Sequence, residues 1–322
     1  MPSQVPIEVF NIGRTVVDKD EVDRWMKHIG AGEFEIPPDE VVTNPALLIA
    51  LAGKRCYMSF VEGLNPNVNQ IRKDYVAYFD NILKSGHGSV LEHSVFNFAI
   101  EGVSRVFTAE MNRHRAGWAI SEGSLRFIRF GENVPYWEPD SITGPDVIPG
   151  DTPEDAARTG YQDSGAEIAL SMFDPTGAAA TSDITELLNE LGVPEESHLD
   201  AKKEMSRQVF FNAFSDQENS YRILEAIWAA ELAPESKFAG KKQITSMMRR
   251  IIGLGVATGG VWSGNIRALR HVFTMRAAPE AEEEMIHVFS RVVQKMVEKE
   301  PLLFGDFTID ENGFYRPKYR KV

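Results

Sequence analysis

Three arginines and a histidine fall within the fourteen residues from Arg113 to Arg126, RHRAGWAISEGSLR, in a chain whose formal net charge is -13. A guanidinium is permanently charged and offers a planar fork of donors matched to phosphate oxygens, so Arg113, Arg115 and Arg126 suit a phosphorylated small molecule. Glu122 and Ser124 lie between them. A carboxylate there can orient the guanidinium groups and accept from a ribose hydroxyl or ring N–H, and a serine hydroxyl can donate to a phosphate oxygen. A charge run is ordinarily a solvated face, and the spacing alone leaves that reading open.

A second set of polar residues sits in WSGNIRALRHVFTMR, where Asn265, Arg267, His271 and Arg276 recur along one expected helix. Arg267 and His271 share a face at i and i+4. Arg207, in EMSRQVFF, is one cation among apolar residues and reads by itself as a salt-bridge partner. GHGSVLEH carries His87, Ser89, Glu92 and His93, but no further ligand cluster follows, so no metal is expected. GLGVATGG has the wrong glycine spacing for a dinucleotide loop and no evident strand, loop and helix around it. The single cysteine, Cys56 in KRCYMSF, reads as a small buried hydrophobe and rules out an internal disulfide, as a reducing cytoplasm would.

The elements that must position these groups follow from periodicity. HSVFNFAIEG alternates, with Phe96, Phe98 and Ile100 on one side, as a half-buried strand does. Ser104 then reads as the N-cap of a helix running to about His114, so the arginine motif begins at a helix C-terminus and continues as a loop. Helices are expected over DKDEVDRWMKHIGAG, from Thr43 to near Gly53, from Pro66 to Lys84, near Pro153 to Phe173 and from Ser182 to Leu191. The C-terminal third is expected to be mainly helical, with LDAKKEMSRQVFFNAF and SYRILEAIWAAEL as separate helices and another from about Pro279. The tail YRPKYRKV reads as solvated.

With 322 residues and 43% apolar content, the chain can build a substantial core. It is expected to be a single domain over 1–322, with an N-terminal helical extension of about 1–75 and a helical and loop excursion of about 135–200. The excess of 47 acidic over 34 basic residues argues against backbone binding of nucleic acid. MPSQVPIEVF lacks the pattern of a signal peptide, and IIGLGVATGGVW is too short and glycine-rich to span a bilayer, so a cytoplasmic protein with no membrane partner is expected.

Four blocks, near 87 to 93, 110 to 130, 204 to 211 and 262 to 284, resemble in order those of the flavin-dependent thymidylate synthases. The family's RHR and S-x-R elements are present as Arg113, His114, Arg115 and then Ser124, Leu125, Arg126, with one residue more between them than is usual in the family. Asn265 and Arg267 resemble its N-x-R segment, followed eleven residues after Asn265 by Arg276. The resemblance implies an α+β fold, a mixed sheet flanked by long helices, assembled as an intertwined homotetramer. It implies FAD as cofactor, with NADPH and methylenetetrahydrofolate as cosubstrates, and methylation of a uridylate at C5 without a protein nucleophile. On the matching positions, Arg113, His114, Arg115 and Glu122 would hold FAD, helped by Ser89, Asn265, Arg267 and His271. Glu110, Arg113, Glu122, Ser124, Arg126 and Arg207, with the backbone of Gly123 and Leu125, would meet the nucleotide. Arg276 would face the uracil and is the residue expected to be catalytic. Glu110, Ser121, Phe127, Trp118 and the additional residue depart from the family's usual pattern, which suggests UMP as a substrate alongside dUMP. A non-catalytic flavin or nucleotide binder and an all-helical interaction protein are the competing readings.

Overall fold

In the computed structural model, residues 1–68, 70–130, 133–143 and 184–321 are described. The expected helix at 153–173 and most of the 135–200 excursion lie outside them. Along the chain come β1 (Ser3–Gln4), β2 (Glu8–Arg14), α1 (Lys19–His28), α2 (Asn44–Tyr57) and α3 (Tyr75–Lys84). A 3-10 turn, Gly88–His93, leads into β3 (Val95–Ser104), α4 (Arg105–Met111), β4 (Trp118–Glu122), β5 (Pro135–Tyr136) and α5 (Asp140–Thr143). Then follow α6 (Ile184–Glu190), α7 (His198–Ile227), α8 (Ala229–Leu232), α9 (Phe238–Met248) and β6 (Ala257–Asn265). The chain closes with α10 (Ile266–Arg276), α11 (Glu283–Lys299), α12 (Pro301–Phe304), β7 (Phe307–Ile309) and β8 (Tyr315–Pro317). One four-stranded sheet has the order β2-β3-β6-β4. The chain divides into two compact units, with boundaries between β1 and β2 and inside β3, α4, β4 and β6.

One unit comprises Glu8–Ile100, Glu110–Ser121 and Gly260–Val322. Its helices begin where short polar side chains accept orphan backbone donors: Asp18 takes the N–H of Glu21, Thr43 that of Ala46 and Asp74 that of Val76. Phe96, Phe98 and Ile100 of β3 are buried as the alternation requires. Phe273 of α10 packs its ring against Phe289, Phe304 and Phe307 at centroid distances of 6.1, 5.5 and 6.0 Å, which fixes the helix carrying Arg276.

The other unit comprises Met1–Ile7, Glu101–Ala109 and Glu122–Gly259. β1 and β5 pair in parallel. Its core gathers Phe130, Val134, Tyr136, Phe214, Tyr221, Leu232, Met248 and Val256, with Tyr136 stacked on Phe214 at 4.4 Å.

Several expectations change. The N-terminal stretch opens with two strands before its helices, and α3 begins at Tyr75 rather than Pro66. The two helices expected on either side of SDQEN are one, α7, because its polar middle finds tertiary partners. Gln217 accepts from the N–H of Gly253 at 2.7 Å, and Glu218 pairs with Arg222 and the Met1 ammonium at 2.9 and 3.1 Å. The helix expected from Pro279 starts at Glu283, capped by Glu282. Cys56 is exposed. The tail is docked, with Tyr315 and Pro317 buried in the antiparallel pair β7 and β8.

Candidate active site

In the first unit, α4 ends at Met111 and two further turns carry the chain into the motif, the N–H groups of Arg113 and His114 donating to the carbonyls of Glu110 and Met111. Arg276 is the last residue of α10 and reaches this segment. Its Nε donates to Nε2 of His114 at 3.0 Å, and its Nη1 lies 2.8 Å from a carboxylate oxygen of Glu110. An accepting Nε2 puts the imidazole proton on Nδ1. Burial, then the positive Arg276 and then His271, push the His114 pKa below its ordinary value, while Glu110 pulls the other way. His271 lies edge-on to His114 at 6.4 Å between ring centroids.

Asn265 is the N-cap of α10 rather than a residue within it. Its Oδ1 accepts from the N–H of Ala268 at 2.8 Å, and its own N–H donates to the carbonyl of Gly117 at 3.0 Å. Gly117 must be glycine. Its φ is +76°, and a Cβ there would lie 2.6 Å from Asn265 Nδ2 and 2.8 Å from Ala268 Cβ. That turn launches β4, so WAISE is a strand where a loop was expected, and Trp118 packs its ring on Gly264. Arg267 pairs with Glu92 at 2.6 Å, joining α10 to the turn on which Ser89 is exposed. Arg113 and Arg115 are exposed and make no ion pair among the described residues.

In the second unit, Glu122 and Gly123 are held by Arg105, a residue the sequence reading missed. Its Nη1 lies 3.3 Å from Glu122 Oε2 and its Nη2 donates to the carbonyl of Gly123. A cation in the first turn of a helix opposes the helix dipole, and that local conflict is the signal that marks it. Gly123 N donates to Gly259 O at 2.9 Å, and a Cβ on Gly123 would lie 2.8 Å from Thr258 Oγ1. Ser124 begins a helical turn, its carbonyl accepting from Phe127 and Ile128, and the Arg126 carbonyl accepts from Thr245 at 2.7 Å. Leu125 packs on the apolar core of this unit. Arg207 lies 3.2 Å from Glu138 and 3.3 Å from Glu204. Glu138 is 7% exposed, and burial raises its pKa against the pull of Arg207. No local signal could reveal this pair, because sixty-nine positions separate its members.

The structure thus gathers Glu110, His114, His271 and Arg276 in one unit, and places Glu122 and Gly123 against Arg105 in the other. The donor sets fit an anionic cofactor and a nucleotide. The guanidiniums of Arg113 and Arg115, exposed and without an ion pair among the described residues, are available to a pyrophosphate. Beside Gly123 the buried Nε of Arg105 and Oγ1 of Thr258 have no hydrogen-bond partner among the described residues, as expected where a polar ligand completes the bonding. Among the described residues no group of three or more His, Cys, Asp or Glu side chains could hold a metal ion.

Comparison with known proteins gives the fold and the family. A UMP/dUMP methylase, PolB, from Streptomyces cacaoi, solved with 5-Br dUMP, shares the fold with a TM-score of 0.53 at 12% identity, over 95% of this chain and 96% of that one. The same protein with 5-Br UMP gives 0.51 at 11% identity, over 94% and 95%. The flavin-dependent thymidylate synthases of Mycobacterium marinum and Mycobacterium tuberculosis are 27% and 28% identical to this chain over 285 residues, which are 87% of it and 88% of each. Residues 40–302 match the family described as thymidylate synthase complementing protein, and the chain belongs to that family.

Proposed function

We propose that this chain is an FAD-dependent methyltransferase acting at C5 of a uridine 5′-monophosphate nucleotide, dUMP in the first instance. Methylenetetrahydrofolate is the one-carbon donor and NADPH the reductant in this reading. The observation that carries it is the convergence of Arg276 on Glu110 and His114. These are the positions at which the family resemblance places the uracil, nucleotide and flavin contacts, and they arrive from segments 162 residues apart.

FAD, when bound, supplies the redox chemistry of the transfer. Arg113, His114, Arg115 and Glu122 hold it, with Ser89, Asn265, Arg267 and His271. Arg113, Ser124, Arg126 and Arg207 take the nucleotide phosphate and sugar, with Glu110, Glu122 and the backbone of Gly123 and Leu125. Arg276 presents a fixed positive charge to the uracil carbonyl and N3 as negative charge develops on the ring and C5 becomes nucleophilic. Glu110 and the neutral imidazole of His114 hold the guanidinium in place, so little reorganisation is needed when that charge appears. No cysteine is required.

Assembly into a homotetramer is supported by apolar residues left exposed on α7, including Phe211, Ile223 and Ile227, and on β2, including Phe10 and Ile12. A cytoplasmic location without membrane or nucleic-acid partners belongs to this reading, and the acidic charge balance supports the lack of a nucleic-acid partner.

The purified protein is expected to be yellow, to oxidise NADPH only when FAD is present, and to transfer label from methylenetetrahydrofolate to dUMP. Colourless protein that takes up no added FAD overturns the reading.

A further inference from the structure

The C-terminal tail is built into the unit that carries Arg276. Arg270, almost fully buried, donates to both carboxylate oxygens of Asp306 at 2.7 and 2.8 Å and to the Tyr319 carbonyl at 3.3 Å. Asp306 accepts in turn from the N–H of Tyr319 at 3.2 Å, and its carbonyl accepts from that of Lys318 at 2.9 Å. The Tyr319 hydroxyl donates to Asp80 at 2.5 Å. These bonds fasten the tail to α10 through Arg270 and to α3 through Asp80.

Fastened in this way, the tail walls a cavity of about 450 Å³, with Arg316, Pro317 and Arg320 facing Thr274, Met275 and Ala278, and Glu280 beside them. Arg316 is anchored at Nε by Asp310 at 3.0 Å, and its two terminal nitrogens have no partner among the described residues. Arg320 makes no hydrogen bond or ion pair among them. On α10, Met275 and Thr274 point about 100° and 200° away from Arg276, so this cavity opens on a different face of the helix from the proposed uracil site.

We propose that this cavity binds a small organic phosphate. Two guanidinium forks can share the terminal oxygens of a phosphate monoester, whereas a single carboxylate is saturated by one fork. The volume exceeds that of one phosphate group and lies in the range of small-molecule sites, roughly 300–1,000 Å³. Met275, Ala278 and Pro317 offer apolar surface to the organic part. Glu280 can accept from a hydroxyl or ring N–H. None of this depends on the uridylate reading.

The test uses the full chain with phenyl phosphate, inorganic phosphate and succinate as probes at matched ionic strength, followed by thermal shift, with Arg320→Glu and Met275→Trp beside the parent. Both residues are exposed at the surface, so folding is expected to survive either change. Phenyl phosphate is expected to raise the Tm more than inorganic phosphate or succinate does. Arg320→Glu is expected to weaken its binding by about tenfold or more, and Met275→Trp to weaken phenyl phosphate more than inorganic phosphate. Crystals soaked in tungstate should show an anomalous peak within hydrogen-bonding distance of Arg316 and Arg320. The proposal is overturned by equal probe responses in parent and variants, by succinate matching phenyl phosphate, or by tungstate found only elsewhere.

Discussion

The Nε–H of Arg276 donates to Nε2 of His114 at 3.0 Å, which makes the histidine an acceptor and ties the state of one ring nitrogen to the position of the proposed catalytic cation. Protonation of His114 would replace that acceptor by a donor and set two positive groups against each other.

A pH dependence follows with a definite sign. Burial and the neighbouring cations lower the folded-state pKa of His114 below the ordinary 6.5, so between the two values the unfolded chain holds a proton that the folded chain does not. Stability from this site is present above 6.5 and is lost as pH falls toward the folded pKa. In His114→Gln, the urea midpoint measured from pH 7.5 to 5 should fall less than in the parent. An unchanged slope would show that His114 does not report on this contact.

Arg276→Ala is expected to retain FAD and lower kcat for dUMP methylation by about 10²-fold or more, the scale of losing one preorganised charge at a reacting centre. Glu110→Gln should have a smaller effect on kcat, because it keeps a hydrogen-bond acceptor while removing the counter-charge. Flavin absorbance after gel filtration and single-turnover methyl transfer separate the two. Parent-like kcat in Arg276→Ala removes its assigned role.

Arg207 and Glu138 form a pair in which the acid is nearly buried and the base partly exposed. Removing the cation strands a carboxylate that burial already disfavours, so Arg207→Ala should destabilise the fold by about 2 kcal/mol after allowing for solvent screening. Arg207→Ala with Glu138→Gln should recover most of that stability while the KM for dUMP stays raised. Chemical denaturation and steady-state kinetics on the same preparations check both halves.

Gly117→Ala places a side chain in the left-handed region and within 3 Å of Asn265 and Ala268. A cost of about 2 kcal/mol is expected from strain and displacement of the α10 cap. Bound flavin should fall with it. The ratio of FAD to protein as isolated is the measurement, and a ratio equal to the parent's argues against Asn265 in cofactor binding.

The Gly117 turn, and Trp118 against Gly264, lie between the two halves of the arginine motif. UMP is expected to be methylated measurably alongside dUMP. Comparing kcat/KM for the two nucleotides decides it, and strict rejection of UMP removes the idea.

What the chain reveals about itself is local. Alternation marks β3, and Ser104 marks the start of α4 because its hydroxyl accepts from the N–H groups of Val106 and Phe107, a bond made within three residues. The charged motif and its resemblance indicate the chemistry and most of the candidate residues, since guanidinium, imidazole and carboxylate carry their reactivity in any fold. The long helix α7 and the docked tail were illegible, because polar residues that read as a break or a solvated end find partners at distant positions. Glu218 takes the Met1 ammonium, and Asp306 bridges Arg270 to the tail.

Arg105 is a similar case. It sits where the helix dipole disfavours it, and only the tertiary structure supplies the Glu122 carboxylate and Gly123 carbonyl that repay its position. The sequence by itself determined which functional groups the protein owns and the local hydrogen bonds that start its helices. Only the tertiary structure decided which of those groups meet, such as Arg276 with Glu110 and His114, because desolvation and pairing depend on distances that no spacing along the chain encodes.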